Sequence, residues 1–319
     1  MQRTLKERTW LFAKGIAMGA ADVVPGVSGG TIAFITGIYE ELLGSIRSVD
    51  GKALKKLFSG DLRGFWRHIN GGFLLVLFVG IGVAVVSLSR VILYFLENTP
   101  EMLWAFFFGL IVASALVVGR KVGRWSVGTV AVGLFGVAAA YLITELAPAE
   151  TPTALWFIFL SGAVAICAMI LPGVSGSFLL VLMGKYEYVL GAVKALDFGV
   201  ILTFMGGCLV GLLSFSRLLK WMLERHYDLT VALLTGFMVG SLNKVWPWKQ
   251  TLQTYMDRHG VVKPLVQQNV LPTDYQSLTG QAPHLWEAIL LAVFGFALVY
   301  FIERITTPTQ PTPAVEETV

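Results

Sequence analysis

Asp22-Val-Val-Pro-Gly-Val-Ser-Gly-Gly-Thr31 and Leu171-Pro-Gly-Val-Ser-Gly-Ser177 share a Pro-Gly-Val-Ser-Gly core, Pro25 and Pro172 standing 147 positions apart. Each core interrupts an uncharged stretch, Val23 to Tyr39 and Thr151 to Gly184. Proline removes a backbone donor and clashes with the preceding turn, and glycine loosens the chain. A helix running into either core is therefore broken there. Both stretches read as hairpins that enter and leave an apolar layer on one side, over 9–46 and 153–194. Thr153 to Leu171 is also long enough to cross by itself, so full spanning of that arm stays open.

The similarity extends outward from the two cores. Lys14 to Arg47 aligns with Ser161 to Lys194 at the same offset, pairing Gly15 with Gly162, Tyr39 with Tyr186 and Glu40 with Glu187. Gly80 to Ala115 aligns with Gly207 to Leu242 at an offset of 127, pairing Arg90 with Arg217, Glu97 with Glu224 and Gly109 with Gly236. Matching Arg, Glu, Pro and Gly at fixed offsets argues against chance likeness between greasy segments. The copies are taken as 1–147 and 148–306.

Composition sets the solvent. The chain of 319 residues is 55% hydrophobic and 14% charged, where a soluble domain carries about 25% charged residues. Six further runs read as full membrane spans: 71–96, 102–119 and 125–146 in the first copy, 198–219, 229–246 and 285–303 in the second. Lipid obliges each to be a helix, because backbone groups find no water there. The expected fold is an all-α polytopic membrane protein with six transmembrane helices and two re-entrant or helical hairpins. Three spans lie between the hairpins. That odd number turns the second copy upside down, the inverted-repeat architecture of many secondary transporters.

Basic residues orient the chain. With the N-terminus in the cytoplasm, sixteen of the 24 lie in inner segments and six in outer ones, with Arg90 and Arg217 inside spans. Both termini are then cytoplasmic. An N-terminal signal peptide is the rival reading, but Lys14 interrupts its apolar part and cleavage near Ala20 would cut into the repeated motif. Asp50 to His68, basic with Leu54, Leu57, Phe58, Phe65 and Trp66 interleaved, suits a helix on an anionic inner leaflet or an ordinary solvated loop. Pro247 to Pro283 reads as an outer loop, and 307–319 as a disordered tail.

The candidate binding residues are the two cores: Pro25, Gly26, Val27, Ser28, Gly29, Gly30 and Thr31, and Pro172, Gly173, Val174, Ser175, Gly176 and Ser177. Small residues leave main-chain N–H groups accessible, hydroxyls add donors, and an outgoing half-helix aims its N-terminus at the break, which favours an anion. The alternative is a pair of kinks needed only for close packing. Arg90 and Arg217 join the candidates because charge within a span is costly; they bind phosphate or snorkel to an interface. Asp22, Glu40 and Glu187 are candidates for a coupling proton or sodium ion. Asp22, replaced by Met169 in the second copy, is equally placed to cap the outgoing half-helix. No resident cofactor, metal site, catalytic group or nucleic-acid partner is expected. Cys167 and Cys208 sit in apolar runs, and His68, His226, His259 and His284 fall in loops or span ends without ligand spacing.

The two cores, with Gly37-Ile-Tyr-Glu40 after the first, resemble a bacterial and archaeal membrane family associated with undecaprenyl-phosphate translocation, over roughly residues 8 to 305. The resemblance implies return of the polyprenyl-phosphate carrier lipid to the inner leaflet of the cytoplasmic membrane for envelope synthesis. Because Asp22 occurs in one motif only, it does not imply a symmetric pair of carboxylates. Three other functions remain open: secondary transport of a small soluble anion, which needs no lateral opening; a membrane-embedded lipid phosphatase or phosphotransferase, suggested by Ser89-Arg90 and Ser216-Arg217; and a non-transporting assembly factor, which would have a sealed core.

Overall fold

The computed structural model describes residues 3–23, 27–146, 148–149, 151–256 and 262–306. Pro25, Gly26 and the tail 307–319 lie outside the described residues. The first half contains α1 (Leu5–Val23), α2 (Gly29–Ile35), α3 (Tyr39–Arg47), α4 (Gly51–Phe58), α5 (Leu62–His68), α6 (Gly71–Asn98), α7 (Pro100–Gly119) and α8 (Val127–Glu145). The second contains α9 (Leu155–Ile170), α10 (Gly176–Leu182), α11 (Tyr186–Ala195), α12 (Phe198–Arg225), α13 (Tyr227–Ser241), β1 (Lys249–Met256), β2 (Val262–Asn269), α14 (Pro272–Thr279) and α15 (Leu285–Thr306).

Local chemistry sets many boundaries. Ser126 and Thr129 form a capping box at α8, and the Asp197 carboxylate accepts the Val200 N–H at 3.2 Å to start α12. Asp50 caps α4 and accepts from the Ala53 and Lys52 N–H groups, which hold its carboxyl below the usual range. Helices α6, α7, α8, α12 and α15 are long and apolar enough to cross a membrane. Phe78, Val86, Leu134, Leu202, Leu290 and Phe301 on them are exposed, as a lipid-facing surface requires. The chain is a polytopic helical membrane protein.

The expected span 229–246 is shorter in the structure and ends earlier, at Ser241. Helix α13 has 15 residues, roughly 22 Å at 1.5 Å per residue. A turn follows, the Leu242 N–H donating to the Val239 carbonyl at 3.2 Å, and the Asn243 amide donates to Thr144 at 2.9 Å and to Glu145 at 2.6 Å. The expected outer loop, 247–283, is folded. Strands β1 and β2 pair antiparallel, and Trp248 and Tyr275 pack with Ala105 and Ala288. The polar composition of the strands, with few β-branched apolar residues, concealed them.

The two halves use matching contacts. Helix α1 packs along α6, and α9 along α12. A Cβ on Gly15 would lie 2.5 Å from the Leu77 carbonyl oxygen, and one on its repeat mate Gly162 would lie 2.5 Å from that of Phe204. Gly80 abuts the Phe12 carbonyl oxygen, and Gly207 that of Phe159. Every member of the second set is the repeat equivalent of its counterpart. The next helices are exchanged between halves, α7 packing on α15 and α13 on α8. Their crossings are also glycine-tight, at Gly109 against Ala292 and Gly236 against Gly133.

The hairpin ends go to different places. On the first, Glu41 of α3 pairs with Arg3 and accepts from the Asn70 amide at 2.9 Å, beside the start of α6. Arg47 meets Glu224 near the end of α12 at 3.4 Å. On the second, the Ala149 N–H donates to the Leu182 carbonyl at 2.8 Å, where the chain has just left α8. Helices α10 and α11 meet at a bend of 100°. Helices α4 and α5 expose Leu54, Leu57, Phe58, Leu62 and Trp66 on one short helical pair.

Candidate functional site

The two breaks meet in the interior. Ser28 is the N-cap of α2: its hydroxyl accepts the Gly30 N–H at 3.1 Å and donates to the Met169 carbonyl at 3.1 Å. The Thr31 hydroxyl accepts the Gly173 N–H at 3.1 Å. The Tyr39 hydroxyl donates to the Ile170 carbonyl at 3.0 Å. A Cβ on Gly30 would come within 2.5 Å of the Ile170 carbonyl oxygen, so only glycine allows this approach. Ser28 is 1% exposed, Thr31 0% and Ser175 5%. Val27, Gly29, Pro172, Gly173, Val174 and Gly176 are buried with them, and Ser177 is half-buried.

Four N–H groups around the breaks are already bonded to side chains. The Asp22 carboxylate accepts the Gly29 N–H at 2.7 Å, Ser28 takes Gly30, Thr31 takes Gly173, and Ser175 takes Phe178 at 3.5 Å. Buried donors require partners: three of these four bonds stay within one hairpin, and the Gly173 N–H finds its acceptor on the other. The Asp22 carboxylate thus closes one N–H at the start of α2. Met169 fills the same place in the second half: a Cβ on Gly29 would strike the Asp22 carboxylate at 2.5 Å, and one on its mate Gly176 would strike the Met169 side chain at 2.7 Å.

The other candidates lie away from this contact. Arg217 is exposed, and its guanidinium donates to the Val49 carbonyl at 3.4 Å, beyond the end of α3. Arg90 is exposed on α6. Neither makes a hydrogen bond to the breaks among the described residues. Glu40 is exposed and Glu187 half-buried, each in the first turn of its helix beyond the hairpin. Periodicity shows which residues share a span, but not which depth a folded hairpin reaches.

Two lysines that sequence reading passed over hold the hairpins. Lys14 donates to the Thr36 carbonyl at 2.6 Å, at the C-cap of α2. Buried Lys185 donates to the Thr151 carbonyl at 2.7 Å, beside the turn after α10. Lys14, a cation at the end of a short helix, satisfies an otherwise orphaned acceptor there, whereas Lys185 ties the turn after α10 to the loop before α9. The signal was available in Lys14, an isolated charge in an apolar run.

The surroundings of the two breaks differ. Beside the second, a cleft of about 10 Å³ is lined by Gly173, Ser175, Phe178, Thr144 and Lys244, room for one water-sized group. It adjoins a wider cleft of about 330 Å³, lined almost wholly by apolar side chains of α8, α9, α10, α12 and α13. Ile143 and Val174 line both. Among the described residues no group of three or more His, Cys, Asp or Glu is placed to hold a metal.

A family model described as undecaprenyl phosphate translocase-like matches residues 18–263, which contain both breaks and the clefts. This chain belongs to that family. It is 46% identical over 293 residues to a protein of Vibrio cholerae serotype O1 named polyprenyl-phosphate transporter, covering 92% of this chain and 95% of the relative. It is 33% identical over 265 residues to a protein of the same name from Staphylococcus aureus, covering 76% and 88%. No solved structure matches the chain.

Proposed function

We propose that this protein carries undecaprenyl phosphate across the cytoplasmic membrane and returns it to the inner leaflet for reuse in envelope synthesis. The observation that carries the reading is the direct meeting of two broken hairpins, Ser28 and Thr31 on Met169 and Gly173, in a chain whose relatives are named polyprenyl-phosphate transporters. Such a lipid has an anionic head and a long apolar tail. Its carrier needs polar groups at depth and an opening to the side, and the wider cleft supplies an apolar surface next to the second break.

The two halves form inverted repeats. The matched glycine contacts support the repeat, and the separate anchoring of the hairpin ends supports the inversion. Alternating access follows when the Thr31–Gly173 and Ser28–Met169 bonds break and the hairpins part. Asp22 is the coupling group, because it alone of the acidic candidates bonds to a break. A proton or sodium ion on its carboxylate weakens its hold on the Gly29 N–H. Arg90 and Arg217 supply positive charge on the approach paths. Both termini are cytoplasmic, and α4 with α5 rests on anionic inner-leaflet lipid.

The test is a leaflet-resolved assay in vesicles containing the purified protein and a fluorescent polyprenyl phosphate, with and without proton and sodium gradients. The expected result is accelerated exchange between leaflets that a gradient biases inward. Exchange no faster than in protein-free vesicles would overturn the reading. Release of inorganic phosphate from the lipid would replace it with the phosphatase alternative.

A further inference from the structure

Lys244 and Lys249 have no part in the contact between the hairpins, yet they bring positive charge to one of its sides. The Lys244 ammonium lies 4.3 Å from the centroid of Phe178, three residues beyond Ser175, and lines the same small cleft. Lys249, in β1, donates to the Lys244 carbonyl and stacks over Trp104 at 4.3 Å. Burial, and next the Lys244 charge, hold the Lys249 amine well below the usual lysine range. The acidic group facing Lys244 is Glu145, and the Asn243 amide already donates to that carboxylate at 2.6 Å. Two lysines thus crowd one place, with the one carboxylate facing Lys244 already engaged, an arrangement that an incoming anion relieves. Ser175 differs from Ser28 in the same direction. Its hydroxyl pairs with Ser177 at 2.9 Å and faces the cleft, whereas Ser28 is bonded across to the other hairpin.

From this arrangement we infer that Lys244 and Ser175, backed by Lys249, receive the phosphate of the transported lipid on the side where the second hairpin is anchored, while the adjoining apolar cleft takes its first prenyl units. This deepens the lipid-transport reading and rests on it. Lysine serves phosphate as a compact point charge and tolerates a shifting partner. In the state described the small cleft admits only a water-sized group; the phosphate enters as the ends of α8 and α13 separate. The wider cleft offers a dry path for the chain past Val164, Leu179, Val210 and Phe237. Because Ile143 and Val174 line both clefts, head and tail sites lie in the order a prenyl phosphate needs. A free anion would use the first and leave the second empty.

The test uses the full chain in detergent and three probes: farnesyl phosphate, inorganic phosphate and farnesol. Wild-type protein should bind farnesyl phosphate at least tenfold more tightly than either fragment. Lys244→Ala should weaken that binding about tenfold, with Lys244→Arg restoring most of it. Val164→Trp, which fills the apolar cleft, should weaken farnesyl phosphate but leave inorganic phosphate unchanged. A farnesyl phosphate with a photoreactive group at its far end should label wild-type α9, α10 or α12, a readout independent of variant folding. If wild-type protein binds farnesyl phosphate but labels elsewhere, and the Lys244 and Val164 variants bind normally, this site is wrong and the transport reading stands. If wild-type protein binds inorganic phosphate as tightly as farnesyl phosphate, the lipid reading itself falls, and the site with it.

Discussion

The first and second breaks have nearly the same sequence and opposite chemical situations. At the first, Asp22 closes the start of α2, Ser28 bonds across to Met169, and Tyr39, 2% exposed, reaches Ile170. At the second, Met169 stands where Asp22 would be, Ser175 bonds within its own hairpin to Ser177 and the Phe178 N–H, and Tyr186 is 37% exposed. One copy is sealed by its own polar groups, and the other is left facing a cleft and a lysine. A duplicated motif therefore does not make a duplicated site. The same five residues acquire different roles because the side chains around them differ.

The largest effect expected from breaking this comparison comes where the halves are alike. Gly15→Val and Gly162→Val each push a side chain into a backbone carbonyl 2.5 Å from the first added carbon. Overpacking costs about 1–3 kcal/mol and more against backbone, so both should abolish recovery of folded protein in detergent. A severe effect in one and none in the other would deny the structural equivalence of α1–α6 and α9–α12.

Thr31→Val comes next. It leaves the buried Gly173 N–H without an acceptor and should cost about 1–3 kcal/mol, seen as a lower melting temperature. Ser177→Ala, at the second break, should change melting by less than about 1 kcal/mol, because Ser175 retains the Phe178 N–H.

Asp22→Asn separates capping from coupling. Asparagine caps nearly as well as aspartate, so stability should fall by less than about 1 kcal/mol while the response of flux to an ion gradient disappears. An unchanged response would leave Asp22 a cap alone. The smallest effects belong to Arg90→Ala and Arg217→Ala. Exposed charges contribute about 0–1 kcal/mol, so melting should hardly move and lipid exchange should slow two- to threefold, less at high salt. A tenfold loss insensitive to salt would bring either guanidinium into the head-group site.

Much of this was legible in one dimension. Pro-Gly cores within uncharged stretches announce broken helices, because proline and glycine act through the local backbone. Repeat mates such as Gly15 and Gly162 foretell equal crossings, because a missing side chain is needed wherever two helices come that close. The clefts and β1–β2 were not legible: Lys244 lies 69 positions beyond Ser175, and nothing in spacing says that α8 and α13 bring them together.

The sequence by itself determined that this chain lives in lipid, that helices break between Val23 and Gly29 and between Ile170 and Gly176, and that the same motif stands at both breaks. These are consequences of local backbone chemistry and apolar content. Only the tertiary structure decided that Thr31 takes the Gly173 N–H across the hairpins, that the Asp22 carboxylate takes the Gly29 N–H, and that one break faces a cleft lined by Lys244. Which buried donor finds which acceptor depends on segments brought together by packing, and no distance along the chain encodes that choice.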